Sequence, residues 1–492
     1  MVTEVETQAN AYLQGNYAPI REEIQGDDLR VIGELPAAMD GMYVRTGPNP
    51  QFDPIGQYHW FDGDGMLHGV RVRGGKASYR NRYVRTKGYL EEKAAGKALF
   101  YGLMEMEKNF AQGREYKNQG NTALVWHDGQ LLTLMEGAEP HAVGLPGLTT
   151  LGTYDYCGKL ISSFTAHPKV DEKTGEMMFF GYNPMAAPYV QYSLVSKDGE
   201  LQFTRPIDVP RGVMMHDFAV TEHYTIFMDL PLTFSVERAM KGGPVLAFER
   251  DLPARYGILP RHGSNDDITW FEMPAHYMFH TSNAYEDGDE VVLHGCRMES
   301  TNALQPAELP KNRNGDVAGG RSDENMGMMH RWRFNLKTGA YKEERIDDIG
   351  SDFPRVHDAL VGYGHRYSYN ARFNKASEGQ NPAFEGINKY DLQTGRVDVH
   401  LHGKKRYGGE PVFVADPNGR DEDSGWLVTF VYDEIAGTSE MVVVDAKHMS
   451  GEPLARVMIP QRVPYGFHGA WVSDDRLESQ TQHQMAWSPP HE

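Results

Sequence analysis

The sequence has few cysteines and no long apolar run. Its 492 residues include two cysteines, Cys157 and Cys296, which lie far apart and in neither a metal-binding nor a redox spacing. A disulfide framework is therefore excluded, and a reducing compartment is expected. No stretch of about 18 uninterrupted apolar residues occurs, so no transmembrane helix is predicted. The first residues contain acids and lack the apolar segment of a signal peptide, and we expect a cytoplasmic protein.

Positive charge is also scarce. Lysine and arginine total 49 against 68 acidic residues, which gives a net charge of −19. No stripe of basic residues could neutralise phosphates, so nucleic acid is excluded as a partner. The same charge argues against electrostatic docking on anionic lipid but leaves apolar docking open. Phosphate-binding glycine loops, H-E-x-x-H and CxxC motifs are absent as well.

Turn signals are abundant, with 52 glycines and 28 prolines. They recur between β-rich runs. Six of these turn segments contain a glycine, and they lie at residues 127–129, 173–175, 197–199, 287–289, 337–339 and 393–395. This alternation predicts an all-β chain of short strands. Helical patterns are restricted to residues 90–103, 234–241 and 21–23.

No linker divides the chain and no motif repeats at a fixed period. We therefore predict one domain over residues 1–492, with the folded part at about 20–475 and a polar tail at 476–492. A closed, propeller-like arrangement of the strands is the architecture that the pattern favours.

Four of the 20 histidines stand in unusual settings. Each follows an apolar or small stretch of strand character and has proline or glycine nearby; they are His167, His216, His280 and His468. Buried neutral imidazoles need partners, and convergence on one cation would satisfy four of them. Imidazole nitrogen suits Fe, Zn, Cu and Ni. The alternative is four core histidines with ordinary hydrogen bonds.

Other histidine patterns are less informative. His400 and His402 alternate on a predicted strand and are expected to face solvent. Asp217 follows His216 directly, and since adjacent strand residues point to opposite faces, the two side chains should not bind one ion.

At these four histidines the sequence resembles the carotenoid cleavage oxygenase family. The resemblance covers nearly the whole chain and includes YVRTGPNP at 43–50, HWFDGDGM at 59–66, FTAHPKVD at 164–171, FHTSNAYEDGDEVV at 279–292 and RVPYGFHGAW at 462–471. It implies a seven-bladed β-propeller with a cap of loops and short helices over one axial Fe(II), and His167, His216, His280 and His468 as the iron ligands.

The resemblance also implies carboxylates that hold the ligand histidines. They match Glu136, Glu410 and Asp352, where Asp352 replaces the glutamate often found before F-P-R. Because aspartate is one methylene shorter, we expect its hydrogen bond to be longer or water-bridged. Thr122 matches the family position beside the open coordination site.

The implied reaction is cleavage of a conjugated C=C bond by O₂ to give two carbonyl products, and dioxetane and epoxide routes both stay open. Lining residues are expected to be aromatic or flexible apolar groups: Phe61, Tyr101, Met135, Phe164 and Phe279. In the branch that cleaves hydroxylated stilbenes, a lysine precedes the glutamate that matches Glu136. Here that position is occupied by Met135. Tyr101, in contrast, resembles a phenol-contacting tyrosine of that branch.

The C-terminal motif and SDFPRV resemble the branch that cleaves carotenoids and apocarotenoids, so a lipophilic polyene is the expected substrate. Such a substrate would reach the site more easily if the protein touched a membrane through an apolar rim, which is expected from Leu230 to Phe248. Arg238 and Lys241 would snorkel at the edge of this rim. The other interpretation of the segment is an ordinary helix.

The alternatives are a lignostilbene-type dioxygenase, a retinoid-type isomerase, a propeller that only binds a partner, and a zinc hydrolase. The last is disfavoured because four histidines would fill a tetrahedral zinc site.

Overall fold

The fold is dominated by antiparallel strands. The computed structural model describes residues 10–241, 243–301, 325–374 and 383–486. Within those ranges the prediction of an all-β chain is confirmed, and the helices are few and short. None of the helices described is long and apolar enough to cross a membrane.

The strands and helices have the following bounds. The first strands are β1 Gln25–Gly26, β2 Val31–Gly33, β3 Gly41–Pro48, β4 Gly65–Arg73, β5 Lys76–Tyr83, β6 Ala123–His127, β7 Gln130–Leu134, β8 His141–Gly144, β9 Thr149–Thr153, β10 Lys169–Val170, β11 Met177–Tyr182, β12 Val190–Val195, β13 Leu201–Ile207, β14 Ala219–Val220, β15 Tyr224–Asp229 and β16 Leu232–Phe234. The remaining strands are β17 Leu246–Phe248, β18 Ala254–Pro260, β19 Thr269–Met273, β20 Tyr277–Asp287, β21 Glu290–Met298, β22 Met328–Asn335, β23 Tyr341–Arg355, β24 Tyr367–Phe373, β25 Phe384–Asp391, β26 Val397–Leu401, β27 Arg406–Tyr407, β28 Val412–Ala415, β29 Gly425–Asp433, β30 Thr438–Asp445, β31 Ala455–Met458 and β32 Gly469–Ser473. The α-helices are α1 Lys87–Ala95, α2 Met106–Ala111, α3 Val236–Met240 and α4 Asp474–Ala486, and short 3-10 helices lie at Ala11–Leu13, Gly15–Tyr17, Trp60–Asp62, Leu103–Glu105, Asn265–Asp267 and Asp358–Leu360.

The strands pair mostly with their neighbours in sequence. The first sheet has the order β1-β5-β4-β3-β32, the second β6 to β9, the third β10 to β13, and the fourth β14-β15-β18-β19. A fifth group, β20 to β23, continues into a sixth, β23 to β26, through the long strand β23, and the seventh sheet is β2-β31-β30-β29-β27 with β28 beside β29. The first and seventh sheets each combine strands from both ends of the chain, because β3 pairs with β32 and β2 with β31.

Apolar side chains fill the spaces between successive sheets. Core clusters connect the first sheet to the second, the second to the third, the third to the fourth and the fourth to the fifth. Further clusters connect the fifth to the sixth, the sixth to the seventh and the seventh back to the first. Because β-strand side chains alternate between two faces, each internal sheet can bury both faces against its neighbours.

The turn predictions are confirmed. All six turn signals fall between paired strands, and each contains a glycine with positive φ: Gly129, Gly175, Gly199, Gly288, Gly339 and Gly395. A side chain would strain the backbone there, which is why glycine recurs at these positions.

The helix predicted over 234–241 is confirmed by α3, Val236–Met240, whereas the other two helix predictions were wrong. The predicted helix over 90–103 is α1, which starts three residues earlier and ends at Ala95. Gly96 follows in the left-handed conformation (φ 67°) and ends it. Residues 21–23 form no helix. The expected rim is a hairpin of β16 and β17 around the short α3, and Arg238 does not snorkel, since it donates to Thr233 O at 2.6 Å and Pro244 O at 2.7 Å within the hairpin.

The polar tail expected from residue 476 begins inside α4, which packs on the sheets. Leu477 is buried in the core cluster between the first and second sheets. The Gln480 side chain donates to Val143 O at 3.0 Å and accepts from Leu145 N at 2.8 Å. Residues 487–492 lie outside the described residues.

The prediction that His400 and His402 face solvent was also wrong, since both are buried. His400 lies in β26 and His402 directly follows the end of the strand, and their ring centroids are 5.4 Å apart. A side chain at Gly408 would meet the His402 ring at 2.4 Å, so the glycine makes the room in which this imidazole packs.

Candidate metal centre and active site

The four histidines predicted from the sequence converge on one point. His280 lies within β20, His468 directly precedes β32, and His167 and His216 lie two and three residues before β10 and β14. Their ligand nitrogens all lie within 4.8 Å of one another. The Nε2 atoms of His167 and His216 are 3.0 Å apart, and those of His216 and His280 are 3.2 Å apart. We call this group the four-histidine cluster.

Carboxylates fix three of the four rings through the opposite nitrogen. The Nδ1 atom of His216 lies 2.5 Å from Glu136 Oε2, that of His280 lies 2.8 Å from Asp352 Oδ1, and that of His468 lies 2.9 Å from Glu410 Oε1. A carboxylate accepts, so each Nδ1 carries the proton and each Nε2 presents a lone pair.

The donor chemistry of these lone pairs suits a metal ion. Several imidazole lone pairs that point at one small volume repel each other unless a cation lies between them. Two nitrogens bonded at right angles to one ion at about 2.1 Å lie about 3.0 Å apart, which agrees with the observed separations. The residues present therefore fit a transition-metal ion held by imidazoles.

The surroundings perturb the protonation of the cluster. Burial lowers the pKa of His167 well below its usual range, and the neighbouring imidazoles act in the same direction. Burial also lowers the pKa of His468, although Glu410 opposes it. At His216 burial is outweighed by Glu136, which raises the pKa. Burial disfavours ionised Glu410, but Arg355 and His468 hold the pKa of Glu410 at about 2. The carboxylate is thus ionised and able to accept the imidazole proton.

Asp217 connects three of the segments that carry the histidines, and sequence reasoning considered it only as a ligand. Its side chain is turned to other partners: Lys169 Nζ at 2.7 Å, and Thr281 N and Oγ1 both at 2.8 Å. Lys169 follows His167 by two residues, and Thr281 follows His280 directly. The buried carboxylate therefore ties the third, fourth and fifth sheets together next to the cluster.

The segment SDFPR contacts two histidines at once. Asp352 receives the His280 proton at 2.8 Å, so the expected longer or water-bridged contact was wrong. A register irregularity between Asp352 and Arg355 shifts the strand locally, and Phe353 adopts a φ of 50°. The Phe353 ring lies 4.9 Å from both the His280 and the His468 ring.

Two further residues support the carboxylates and were missed from the sequence. Tyr182 donates its hydroxyl to Glu136 at 2.6 Å, and Arg355 lies 3.5 Å from Glu410 and 3.0 Å from Asp358. Arg355 could have been found from its place in the same motif as Asp352, whereas Tyr182 carries no signal other than its position at the end of an apolar strand.

Thr122 lies next to His468 through the backbone. Its carbonyl accepts the His468 N–H at 3.3 Å, and its hydroxyl donates to Asn121 Oδ1 at 2.9 Å. The Thr122 backbone thus lies next to a ligand histidine, and the expected role of its side chain beside an open metal position stays a prediction.

The five candidate pocket residues are not all at the cluster. Phe279 contacts the His216 ring with centroids 5.4 Å apart, and Phe61 lies 5.4 Å from Phe467, the residue before His468. Half-buried Met135 directly precedes Glu136.

The other two candidates lie elsewhere. Phe164 is buried between the second and third sheets and stacks on Phe179 at 4.0 Å, so it serves the core. Tyr101 lines a separate cavity of about 30 Å³ near Phe100 and Lys117.

Comparison with known proteins decides the family. The family described as RPE65, retinal pigment epithelial membrane protein, matches residues 17–473. A carotenoid 9,10(9′,10′)-cleavage dioxygenase of Crocus sativus is 41% identical over 95% of this chain and 90% of its own length. The chain belongs to the carotenoid cleavage oxygenase family.

Relatives within this family include bacterial proteins and solved structures. A carotenoid cleavage oxygenase of Mycobacterium tuberculosis is 33% identical over 94% of this chain and 97% of its own length. The lignostilbene dioxygenase of Pseudomonas brassicacearum superposes with a TM-score of 0.84 and 30% identity, over 94% of this chain and 98% of its own. Cobalt-substituted ACO of Synechocystis superposes with a TM-score of 0.81 and 26% sequence identity, over 92% of this chain and 97% of its own. The resemblance predicted from the motifs is confirmed.

The contacts of Asp217 predict a combined effect on stability and metal binding. Asp217→Asn leaves Lys169 without its counter-charge and should lower the free energy of unfolding by about 2–4 kcal/mol. This loss is somewhat smaller than the loss expected when a fully buried ion pair is broken. It should also weaken metal binding roughly tenfold, since three histidine segments lose their common anchor. Urea denaturation and metal titration measure the two effects.

The control is Asp398→Asn, which removes an exposed ion pair with Arg396 (2.6 Å) and should cost less than about 1 kcal/mol. Equal metal affinity in Asp217→Asn and the unmodified protein would show that the anchor does not position the cluster.

Proposed function

We propose that the protein is a non-haem Fe(II) dioxygenase that cleaves a conjugated C=C bond of a carotenoid or apocarotenoid with O₂ and releases two carbonyl products. The observation that carries the proposal is the convergence of four imidazole nitrogens, three of them backed by carboxylates. Relatives that cover nearly the whole chain are named as carotenoid cleavage dioxygenases, which supports the reaction and the substrate class.

In this proposal each residue at the site has one role. The iron ligands are His167, His216, His280 and His468. Glu136, Asp352 and Glu410 accept hydrogen bonds from the Nδ1 atoms of three of these ligands, which fixes the ring orientation and raises the basicity of the ligands. Iron, when bound, supplies the one-electron chemistry that activates O₂.

The chain's other contributions are positioning and the exclusion of water. Thr122, which contacts His468 through its backbone, would shield one side of a bound metal. Phe353 packs against two of the ligand rings, and Phe279 against a third, which holds them in place. No acid–base pair is required, since the reaction adds both oxygen atoms without net proton transfer.

We further infer that the seven sheets are the blades of a single closed β-propeller. The support is the succession of core clusters, which leads from each sheet to the next and back to the first, together with the β3–β32 pairing of the two ends of the chain. Histidines from four different sheets can then meet only at the axis. The long connections that contain α1, α2 and the β16–β17 hairpin form the cap.

The site favours an apolar polyene over a phenol. Met135 is uncharged and polarizable, so it offers an apolar contact and cannot orient a phenol by charge. Phe279 and Phe61 add aromatic surface near two of the ligand histidines, while Phe164 belongs to the core. A lignostilbene-type activity is the second candidate, because Tyr101 matches a residue of that branch and the Pseudomonas structure is similar over the whole chain.

We also propose that the β16–β17 hairpin touches the membrane that holds the substrate. Apolar residues around α3 are exposed: Val236 by 46%, Met240 by 84% and Val245 by 43%. Arg238 is folded into the hairpin, so its charge does not oppose insertion. Because the net charge of −19 disfavours anionic lipid, we expect the hairpin to insert apolar groups into uncharged bilayers.

The substrate proposal predicts selective cleavage. Aerobic incubation of the iron-loaded protein with β-carotene, an apocarotenal and resveratrol should give aldehyde or ketone fragments from the polyenes only, as measured by mass spectrometry. Met135→Lys should gain turnover of resveratrol, because a cation would then engage its phenol; Met135→Leu is the control. Cleavage of resveratrol alone would support the lignostilbene activity, and isomerised substrate of unchanged mass would support the isomerase.

The membrane proposal predicts that Met240→Asp lowers the fraction of protein that co-sediments with phosphatidylcholine vesicles at least severalfold, because a charge must then leave water. Leu454→Asp, at another exposed apolar position (40%), is the matched control and should bind as before. Equal binding of both variants and the unmodified protein would contradict a role for the hairpin.

A further inference from the structure

A second space adjoins the four-histidine cluster. A cavity of about 180 Å³ touches His167, His280 and His468 and continues along the chain that follows each of them. Phe61 and Phe279 are not among the described residues that line it. The cavity is therefore distinct from the aromatic surface assigned to the substrate.

Charged groups line this cavity and are arranged in pairs. Lys169 pairs with Asp217 at 2.7 Å, and Arg355 with Asp358 at 3.0 Å and Glu410 at 3.5 Å. A polyene would have to cover these ions without replacing their hydration, which is costly. A hydrated cation, in contrast, can exchange its water for the carboxylates that alternate with apolar residues in the lining.

One ion pair in the lining of the cavity joins the third sheet to α4, and both of its side chains are partly exposed. Glu172 Oε1 lies 2.6 Å from Arg476 Nη2, and the two side chains are 32% and 31% exposed, whereas Asp217 further in is 1% exposed. Glu172 follows β10, and Arg476 lies on α4, which is held against the sheets by Leu477 and Gln480. Arg476 therefore reaches Glu172 from a helix that is held against the first two sheets.

We propose that this cavity is the path by which the metal ion reaches and leaves the four-histidine cluster, with the Glu172–Arg476 pair as its outer gate. The inference rests on the proposed function of the cluster as a metal site. A metal site enclosed by protein needs an access path. The pair is partly exposed, and pairs of this kind are weak and open readily.

The gate makes a kinetic prediction. Glu172→Gln and Arg476→Gln each remove the pair without touching the ligands. Both variants should take up Co(II) and release it to excess EDTA about two- to fivefold faster than the unmodified protein. Because uptake and release change together, the dissociation constant and the turnover of the iron-loaded enzyme should stay the same.

Two further variants make the test specific. The exchange Glu172→Arg/Arg476→Glu restores a pair and should return both rates to the original values, whereas Arg396→Gln, which breaks an exposed pair elsewhere, should leave them unchanged. Unchanged rates in Glu172→Gln and Arg476→Gln would overturn the gate. Tight cobalt binding that survives His216→Ala would instead overturn the cluster as the metal site.

Discussion

The structure depends on one constraint, which is that four imidazole lone pairs must point at the same small volume. Without a cation between them, buried imidazole lone pairs repel each other, and they have also lost their hydration. Buried carboxylates hold three of the rings by their Nδ1 protons, so the Nε2 atoms cannot turn away. The free energy that this arrangement costs is recovered when a cation binds, which couples metal affinity to the stability of the fold.

The sheets supply the geometry that this constraint requires. Histidines of the first, third, fourth and fifth sheets are separated by up to about 300 residues in sequence, so local structure alone cannot bring them together. The apolar layers between successive sheets and the β3–β32 pairing fix where each inner strand begins. Polar contacts then complete the alignment, since Asp217 joins three of these segments and Phe353 lies against two ligand rings.

Much of this could be predicted from the sequence, because glycine turns and strand-like contexts are local signals. The four histidines, Glu136 and Glu410 were identified from motifs, and the turns from their glycines. Other features depend on partners that are distant in sequence. His402 is buried because Gly408 leaves room for its ring. Asp352 contacts His280 directly, although the two residues are distant in sequence. The roles of Asp217 and Tyr182 likewise appear only when Lys169, Thr281 and Glu136 are seen beside them.

X-ray absorption at the iron edge of the Fe(II)-loaded protein tests the central claim most directly. The account predicts four imidazole nitrogens at about 2.0–2.2 Å in the first coordination shell, with the multiple-scattering pattern of four rings. A shell with three or fewer imidazoles, or with a carboxylate oxygen in place of one of them, would contradict it.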